Sequence, residues 1–535
     1  MLSLPGMVVI GETIVKEGGD ITYKDMIDEP HLEDSQIQKM FAGASVFLTG
    51  GTGFLGKLFI DKLLRSSPGL KKLYVLVRAK KNKEPVKRLE EQLNDVLYDR
   101  LRKEQPDFIK KIYVVEGEVN EENLGMSETD RQLLINEVEF IFHGAATVRF
   151  DEPLKVAVGT NVRGSREMLV LARACTKLRA YVHISTAYSY CTQLDIDEKF
   201  YKSSLEGDKL IDLVENMDDA ILKDITPGLV GDYPNTYAFT KAAAEDVVLK
   251  YSKGLPVAMV RPSIVIATAR DPIVGWIDNV YGPTGVVVGV AVGLLRVLMC
   301  NRDAVADLVP GDMVVNACIA TAWKTAKDYP GNHEDAPPLD QAPPVYNFVS
   351  SEENPLTWHK FVQLNRRYGY EVPTIQAVWH YILLLTTSEY LYNLYGLLLH
   401  WIPAYLIDGI SVLFGKKPVL KVAYYKIEKF SRVIGYFACR SWKFSNQNVQ
   451  SLYKELCDAD KDIYDFNIAQ LDWKTYFYNH VRGIRLYLLK DPMETVPQGL
   501  RWYLKLKVAH YFILAILCLI NRKAGIISFS VNCFK

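Results

Sequence analysis

The sequence predicts an α/β protein built on a doubly wound parallel sheet, followed by a smaller, mainly α-helical region and a hydrophobic C-terminal anchor. Three observations predict it. Short β-rich apolar runs alternate with longer amphipathic stretches between residues 44 and 262, a glycine-rich turn follows the first run directly, and two strongly apolar segments, 377–415 and 508–520, lie late in the chain.

The runs are 44–49, 72–77, 112–116, 139–143, 180–185 and 257–260. Each is nearly continuous in Val, Ile, Leu and Tyr, as strands covered by helices on both faces require. A charged insertion, 195–234, follows the fifth run and ends in Gly231-Asp232-Tyr233-Pro234. In such folds ligands sit outside the carboxyl ends of the strands, so this insertion is placed to cover a substrate. Residues 271–348, rich in Gly and Val, complete the first unit, and the paired prolines between 336 and 344 read as a surface loop. At 535 residues the chain is too long for one ordinary core. The expected division is a flexible leader at 1–41, a catalytic domain at 42–350, a helical domain at 351–490 and a membrane-associated segment at 491–535.

Charge excludes one class of partner. The 63 Lys and Arg balance the 63 Asp and Glu, so there is no global case for nucleic acid, and any polyanion must be held by a local site. The 8 cysteines are scattered with no C-x-x-C spacing, which argues against zinc or redox chemistry and fits a reducing, cytosol-facing compartment. The first residues lack a basic segment and run into Glu12, Glu17 and Asp20, unlike a secretory signal.

After the first strand comes Thr49-Gly50-Gly51-Thr52-Gly53-Phe54-Leu55-Gly56, opening an amphipathic helix. Gly51, Gly53 and Gly56 satisfy G-x-G-x-x-G, while Gly50, Gly53 and Gly56 satisfy the wider G-x-x-G-x-x-G spacing. Glycine suits a tight turn whose backbone approaches a pyrophosphate while the helix amides face it, so this is a Rossmann-type dinucleotide site. At the end of the second strand, where an acid would hold the ribose 2′-hydroxyl of NAD, stand Arg78, Lys80 and Lys81. Cations there suit a 2′-phosphate, so the expected cofactor is NADPH.

Tyr237 and Lys241 form a Y-x-x-x-K pair on one face of an Ala-rich helix before the sixth strand. The ammonium is expected to lower the phenol's pKa and make Tyr237 a usable proton donor. Tyr425/Lys429 and Tyr503/Lys507 share the spacing but have no strand or cofactor loop beside them. What distinguishes Tyr237 is the hydroxyl-bearing strand end at Ser185 and Thr186, where Thr186 first, or Ser185, would donate to a carbonyl accepting hydride.

These strings together, with 143–152 (HGAATVRFDE), Asn161-Val162-Arg163-Gly164, Arg261-Pro262-Ser263 and Gly275-Trp276-Ile277-Asp278-Asn279, resemble the animal alcohol-forming fatty acyl-CoA reductases over about residues 44–480. Those are extended short-chain dehydrogenases with a further C-terminal domain of the male-sterility type. The resemblance implies reduction of long-chain fatty acyl-CoA to a primary alcohol by two NADPH through an aldehyde. It also implies that Asn161 supports the active-site hydrogen-bond chain, that His143 to Ala146, including Ala145, line the nicotinamide side, and that Pro262 and Ser263 touch the carboxamide. The adenine contact reads Gly117-Glu118 in place of the usual Gly-Asp. A sterol or nucleotide-sugar dehydrogenase would share the glycine loop and the Tyr/Lys pair without needing a hydrophobic C-terminal third. A non-catalytic nucleotide-binding scaffold would not need Tyr237 and Lys241.

Membrane lipid is the second expected partner, at the endoplasmic reticulum or peroxisome. The apolar core 508–520 is 13 residues, about 20 Å as a helix, so a single span and a re-entrant anchor both remain open. Segment 377–399 is long enough to span, but Glu389 and Asn393 near its middle favour a membrane-adjacent helix pair that helps line an acyl tunnel, or a buried core helix.

Overall fold

In a computed structural model, which describes residues 7–10, 13–16, 34–80, 83–329 and 341–523, the six expected strands form one parallel sheet. Lys81, Pro337, Pro338 and most of the expected leader lie outside the described residues. The strands are β1 (Ser45–Thr49), β2 (Lys72–Val77), β3 (Ile112–Glu116), β4 (Phe140–His143), β5 (Ala180–Ile184) and β6 (Val257–Pro262). A seventh, β7 (Val345–Phe348), pairs with β6, and the order across the sheet is β7-β6-β5-β4-β1-β2-β3. Its direction reverses beside β1, creating the crevice at which such sheets bind ligands.

Helices cover both faces. α1 (Phe54–Ser66) packs with α4 (Gly311–Asp328), while α2 (Gly164–Ala174) packs with α3 (Thr236–Tyr251). Under α2 and α3, Phe47, Ile141, Tyr181, Phe239, Ala243 and Val247 are buried together. The apolar strand runs are legible for this reason: β1, β4, β5 and β6 are buried along their whole length.

The chain separates into two compact units that interleave in sequence. The first is Met1–Ile277, Ala304–Thr357 and Arg440–His480; the second is Asp278–Asp303, Trp358–Cys439 and Val481–Lys535. These divisions differ from the expected boundaries at 350 and 490, because 440–480 folds back onto the sheet. Lys443–Phe444 pairs in parallel with Asp195–Ile196 of the insertion, and Trp442 Nε1 donates to the Cys191 carbonyl over 3.2 Å. The described end of the expected leader is also structured, as a helix, Gln36–Phe41, with Ile37 and Phe41 fully buried.

The second unit is mainly helical. Segment 377–388 is not helical as expected; the helix begins at Glu389, where Ser388 caps its N-terminus, and is preceded by a short strand, Leu384–Thr386, paired with Val297–Met299. Two helical stretches, Glu389–Leu413 and Met493–Leu519, are long and apolar enough to cross a membrane. A cavity of about 70 Å³ inside this unit is lined by Val287, Phe361, Tyr381, Leu383, Ile484 and Tyr503.

Candidate active site

Gly50 has φ +76°, and a Cβ there would stand 2.8 Å from the Ala145 nitrogen and the Gly144 carbonyl. A Cβ on Gly56 would press into the Gly50 carbonyl, so only glycine lets α1 start this close to the end of β1. Gly53 caps α1 with no side chain and is exposed, as is the backbone that must approach a phosphate. Thr52, Phe54 and Leu55 are partly exposed, and Gly51 is buried. Two supports of this loop were missed in the sequence: Gln92 Nε2 donates to the Gly51 carbonyl over 2.9 Å, and Trp276 stacks on Phe54 at 5.4 Å.

At the end of β2, Arg78 Nη1 lies 3.0 Å from Glu118 Oε2. A second guanidinium, Arg88, donates to the Arg78 carbonyl, and burial together with the Arg78 charge lowers its pKa. Arg88 has no motif around it and was not legible in the sequence.

Tyr237 lies in the first turn of α3, where Asn235 Oδ1 accepts the Ala238 N–H over 2.9 Å. Four residues on, Lys241 Nζ donates to the Ile184 carbonyl over 2.9 Å. Burial pushes the Tyr237 phenol up to about 12, with a hydrogen bond from Thr186 pulling it down. Burial also brings Lys241 down to about 8, opposed by Glu245. This corrects the expectation that the ammonium lowers the phenol's pKa. Desolvation outweighs any such help, and Tyr237 is a protonated acid at neutral pH.

The two hydroxyls at the end of β5 separate. Ser185 Oγ donates to Glu245 Oε1 over 2.5 Å, and Glu245 accepts from Arg261 Nε at 3.0 Å, with both ends of the pair fully buried. The Ser185 proton is therefore committed. Thr186 Oγ1 accepts from the Tyr188 N–H at 3.3 Å and lies 3.5 Å from the Pro262 carbonyl. Glu245, at i+4 from Lys241, was also missed in the sequence.

A chain of hydrogen-bond contacts links the cofactor loop to Asn161. The Ala145 N–H donates to Thr49 Oγ1 at 3.2 Å, and Thr49 Oγ1 lies in hydrogen-bond contact with His143 Nδ1 at 2.8 Å. His143 Nε2 lies 3.4 Å from Ser165 Oγ, and Ser165 donates to the Asn161 carbonyl at 2.7 Å. Asn161 lies in a π-helical turn, accepts the Thr147 N–H at 2.9 Å and donates to Thr240 of α3 at 3.0 Å. Burial, and then Lys241, bring His143 down to about 3, so it is neutral. Its ring is 1% exposed, below the surface that Ala145 and Ala146 partly expose.

Ser263 Oγ is buried and has no hydrogen-bond partner among the described residues. A buried hydroxyl left so asks for a polar ligand. That orphan, with the cradle at Gly50 and Gly56, fits a dinucleotide lying across the carboxyl ends of β1, β4, β5 and β6. The insertion supplies helices Gly207–Glu215 and Asp219–Val230, and Tyr188 packs edge-on against Trp442 and Phe444.

Two families described as male sterility protein match the chain, an NAD-binding one over residues 48–318 and the Sterile one over 399–491. The chain is 39% identical over 484 residues to fatty acyl-CoA reductase wat of Drosophila melanogaster, covering 90% of this chain and 92% of that one. With fatty acyl-CoA reductase 1 of Homo sapiens it shares 38% identity over 480 residues, 89% and 90% of the two chains. Among solved structures, the reductase domain of a non-ribosomal peptide synthetase from Mycobacterium tuberculosis aligns with TM-score 0.53 at 18% identity, over 88% of this chain and 98% of that one. The terminal reductase domain of the myxalamid pathway aligns with TM-score 0.51 at 18% identity, over 84% and 93%. At that identity the likeness concerns the fold.

Proposed function

The chain belongs to the fatty acyl-CoA reductase family, and from that premise we propose that it reduces long-chain fatty acyl-CoA to the primary alcohol through the aldehyde, using two NADPH. The observation that carries this reading is the Tyr237 hydroxyl, held protonated beside Thr186 at the end of β5, with Lys241 fixed to the Ile184 carbonyl of the same strand end. NADPH, when bound along Gly50 to Gly56, supplies hydride.

Thr186 and Tyr237 receive the thioester carbonyl oxygen, and Tyr237 gives it a proton as hydride reaches the carbon. The tetrahedral product expels CoA thiol and leaves an aldehyde. The same two hydroxyls hold the aldehyde oxygen for the second reduction, and Tyr237 is reprotonated between the two. Lys241 keeps a positive charge under the site, and Asn161 ties the 144–147 loop to α3 so that Ala145 and Ala146 line the nicotinamide side. Ser263 takes the carboxamide end. Arg78 and Arg88 hold the 2′-phosphate, with Arg78 exchanging part of its contact with Glu118, which borders the adenine.

The helix Met493–Leu519 attaches the protein to the endoplasmic reticulum or peroxisomal membrane, with the catalytic unit on the cytosolic side where acyl-CoA and NADPH are found. Incubating the protein with NADPH, or NADH, and a panel of acyl-CoAs, with gas chromatography of the products, tests the whole reading. Accumulation of aldehyde alone would overturn the two-step assignment, and equal use of NADH the cofactor.

A further inference from the structure

Within the second unit, α5 (Ile402–Leu413) and α6 (Leu420–Ala438) form a hairpin closed by one carboxylate. Asp408 Oδ1 accepts the N–H groups of Val419 and Leu420 at 3.1 Å each, and Oδ2 accepts that of Lys421 at 2.9 Å. The acid that interrupts an otherwise apolar helix thus satisfies the free first-turn donors of the next one and locks the two together. Only Ala404 and Asp408 of α5 are buried. Tyr405, Leu406, Ile410, Leu413 and Phe414 are exposed, Leu413 by 85% and Phe414 by 78%. So large a contiguous apolar surface marks an interaction site.

Charge beside it has one sign. Lys416, Lys417, Lys421 and Lys426 are exposed around the turn, and Lys421 lies 4.6 Å from the Tyr405 ring. Between 402 and 432 the acids are Asp408, which serves the backbone, and Glu428, which pairs with Arg432 at 3.0 Å. The chain reverses at 414–419 and returns through a helix carrying Lys421, Lys426 and Lys429, which disfavours a bilayer crossing by the hairpin, because central lysines are costly there. Lying in the plane of the interface, it would sink its apolar face while the lysine stems reach up to the headgroups.

We propose that this hairpin is a second membrane contact, docked flat on a bilayer surface bearing anionic phospholipid, with Lys416, Lys417 and Lys421 at the phosphates. The inference rests on the membrane attachment read above but concerns a surface separate from Met493–Leu519. The full chain is floated with vesicles of phosphatidylcholine alone or with about a third phosphatidylserine, and the vesicle-bound protein is footprinted with hydroxyl radicals. In the first unit Ile109, 59% exposed, is the internal reference. Leu413 and Phe414 are expected to oxidise several-fold less than Ile109, with greater protection on phosphatidylserine. The Lys416→Glu/Lys417→Glu double variant should weaken that added protection by about tenfold. Floated protein in which Leu413 and Phe414 oxidise as fast as Ile109 would overturn the docked hairpin while leaving attachment intact. Protection indifferent to phosphatidylserine and to the double variant would overturn the anionic partner, and failure of the parent chain to float would sink the attachment reading itself.

Discussion

Lys241 Nζ donates to the carbonyl of Ile184 over 2.9 Å, which fixes its ammonium at the end of β5, one residue before Ser185 and two before Thr186. Tyr237 and Lys241 are therefore organised by the strand end as well as by their shared helical face.

Positioned acid catalysis is worth about 10²–10⁴ in rate, so Tyr237→Phe is expected to cut turnover by that order with NADPH binding retained. The pH profile follows from Lys241, whose pKa burial lowers to about 8. Its charge is complete below that value and is lost as pH rises through it, so turnover should fall on the alkaline side. Lys241→Arg, which stays charged, should remove that limb. An unchanged alkaline limb in the variant would separate it from Lys241.

Thr186→Val is expected to lower turnover by about 10²–10³, the usual effect of losing one oxyanion donor. Ser185→Ala should instead cost stability, about 1–3 kcal/mol, because the buried Glu245 carboxylate loses a donor, while the folded fraction turns over normally. Denaturant melts and single-turnover rates of both variants distinguish the roles. The reverse pattern would exchange Ser185 and Thr186.

The sequence made the first six strands and the glycine turn legible because both depend on local pattern. β7 was not legible, since its four residues include Asn347, whose amide is buried and donates to the carbonyls of Ile196 at 3.3 Å and Ser445 at 2.9 Å. Those partners are far away in sequence. The same distance hid Glu245 as the acceptor of Ser185, and it left Thr186 and Ser185 undivided as candidate donors. The direction of the Tyr237 shift also depended on burial, which the Y-x-x-x-K spacing does not report.

Arg78→Asp places a second carboxylate next to Glu118 where Arg78 now pairs at 3.0 Å. The ratio of NADPH to NADH affinity should fall by about tenfold or more, since each charge-assisted contact to the 2′-phosphate is worth about 1.5–3 kcal/mol. Arg88→Ala should move the ratio in the same direction. Fluorescence titration with both cofactors checks it, and a ratio unmoved by Arg88→Ala would confine 2′-phosphate recognition to Arg78.

Truncation tests the anchor only if the cut spares the contacts that α7 (Val496–Lys523) makes within its own unit. Asp491 accepts from Thr374 Oγ1 at 2.7 Å and pairs with Arg485 at 2.9 Å; Trp502 Nε1 donates to the Ala377 carbonyl at 2.7 Å, and Tyr503 Oη accepts the Tyr381 N–H at 3.2 Å. Leu506 is buried, whereas Val508, Phe512, Leu517 and Leu519 are exposed. A chain ending at 491 would therefore lose stability along with its anchor, and its behaviour would say little about membranes. A chain ending at Lys507 keeps buried Leu506 and the hydrogen bonds of Trp502 and Tyr503, loses the ring contacts of His510 and Tyr511 with Trp379 and His380, and removes the exposed apolar turns. It is expected to stay folded and to be released from membranes by alkaline carbonate, while the parent chain stays bound. Retention of the shortened chain after that wash would move the integral anchor to Glu389–Leu413, the other helical stretch long and apolar enough to span among the described residues, and would overturn the flat docking of the hairpin with it.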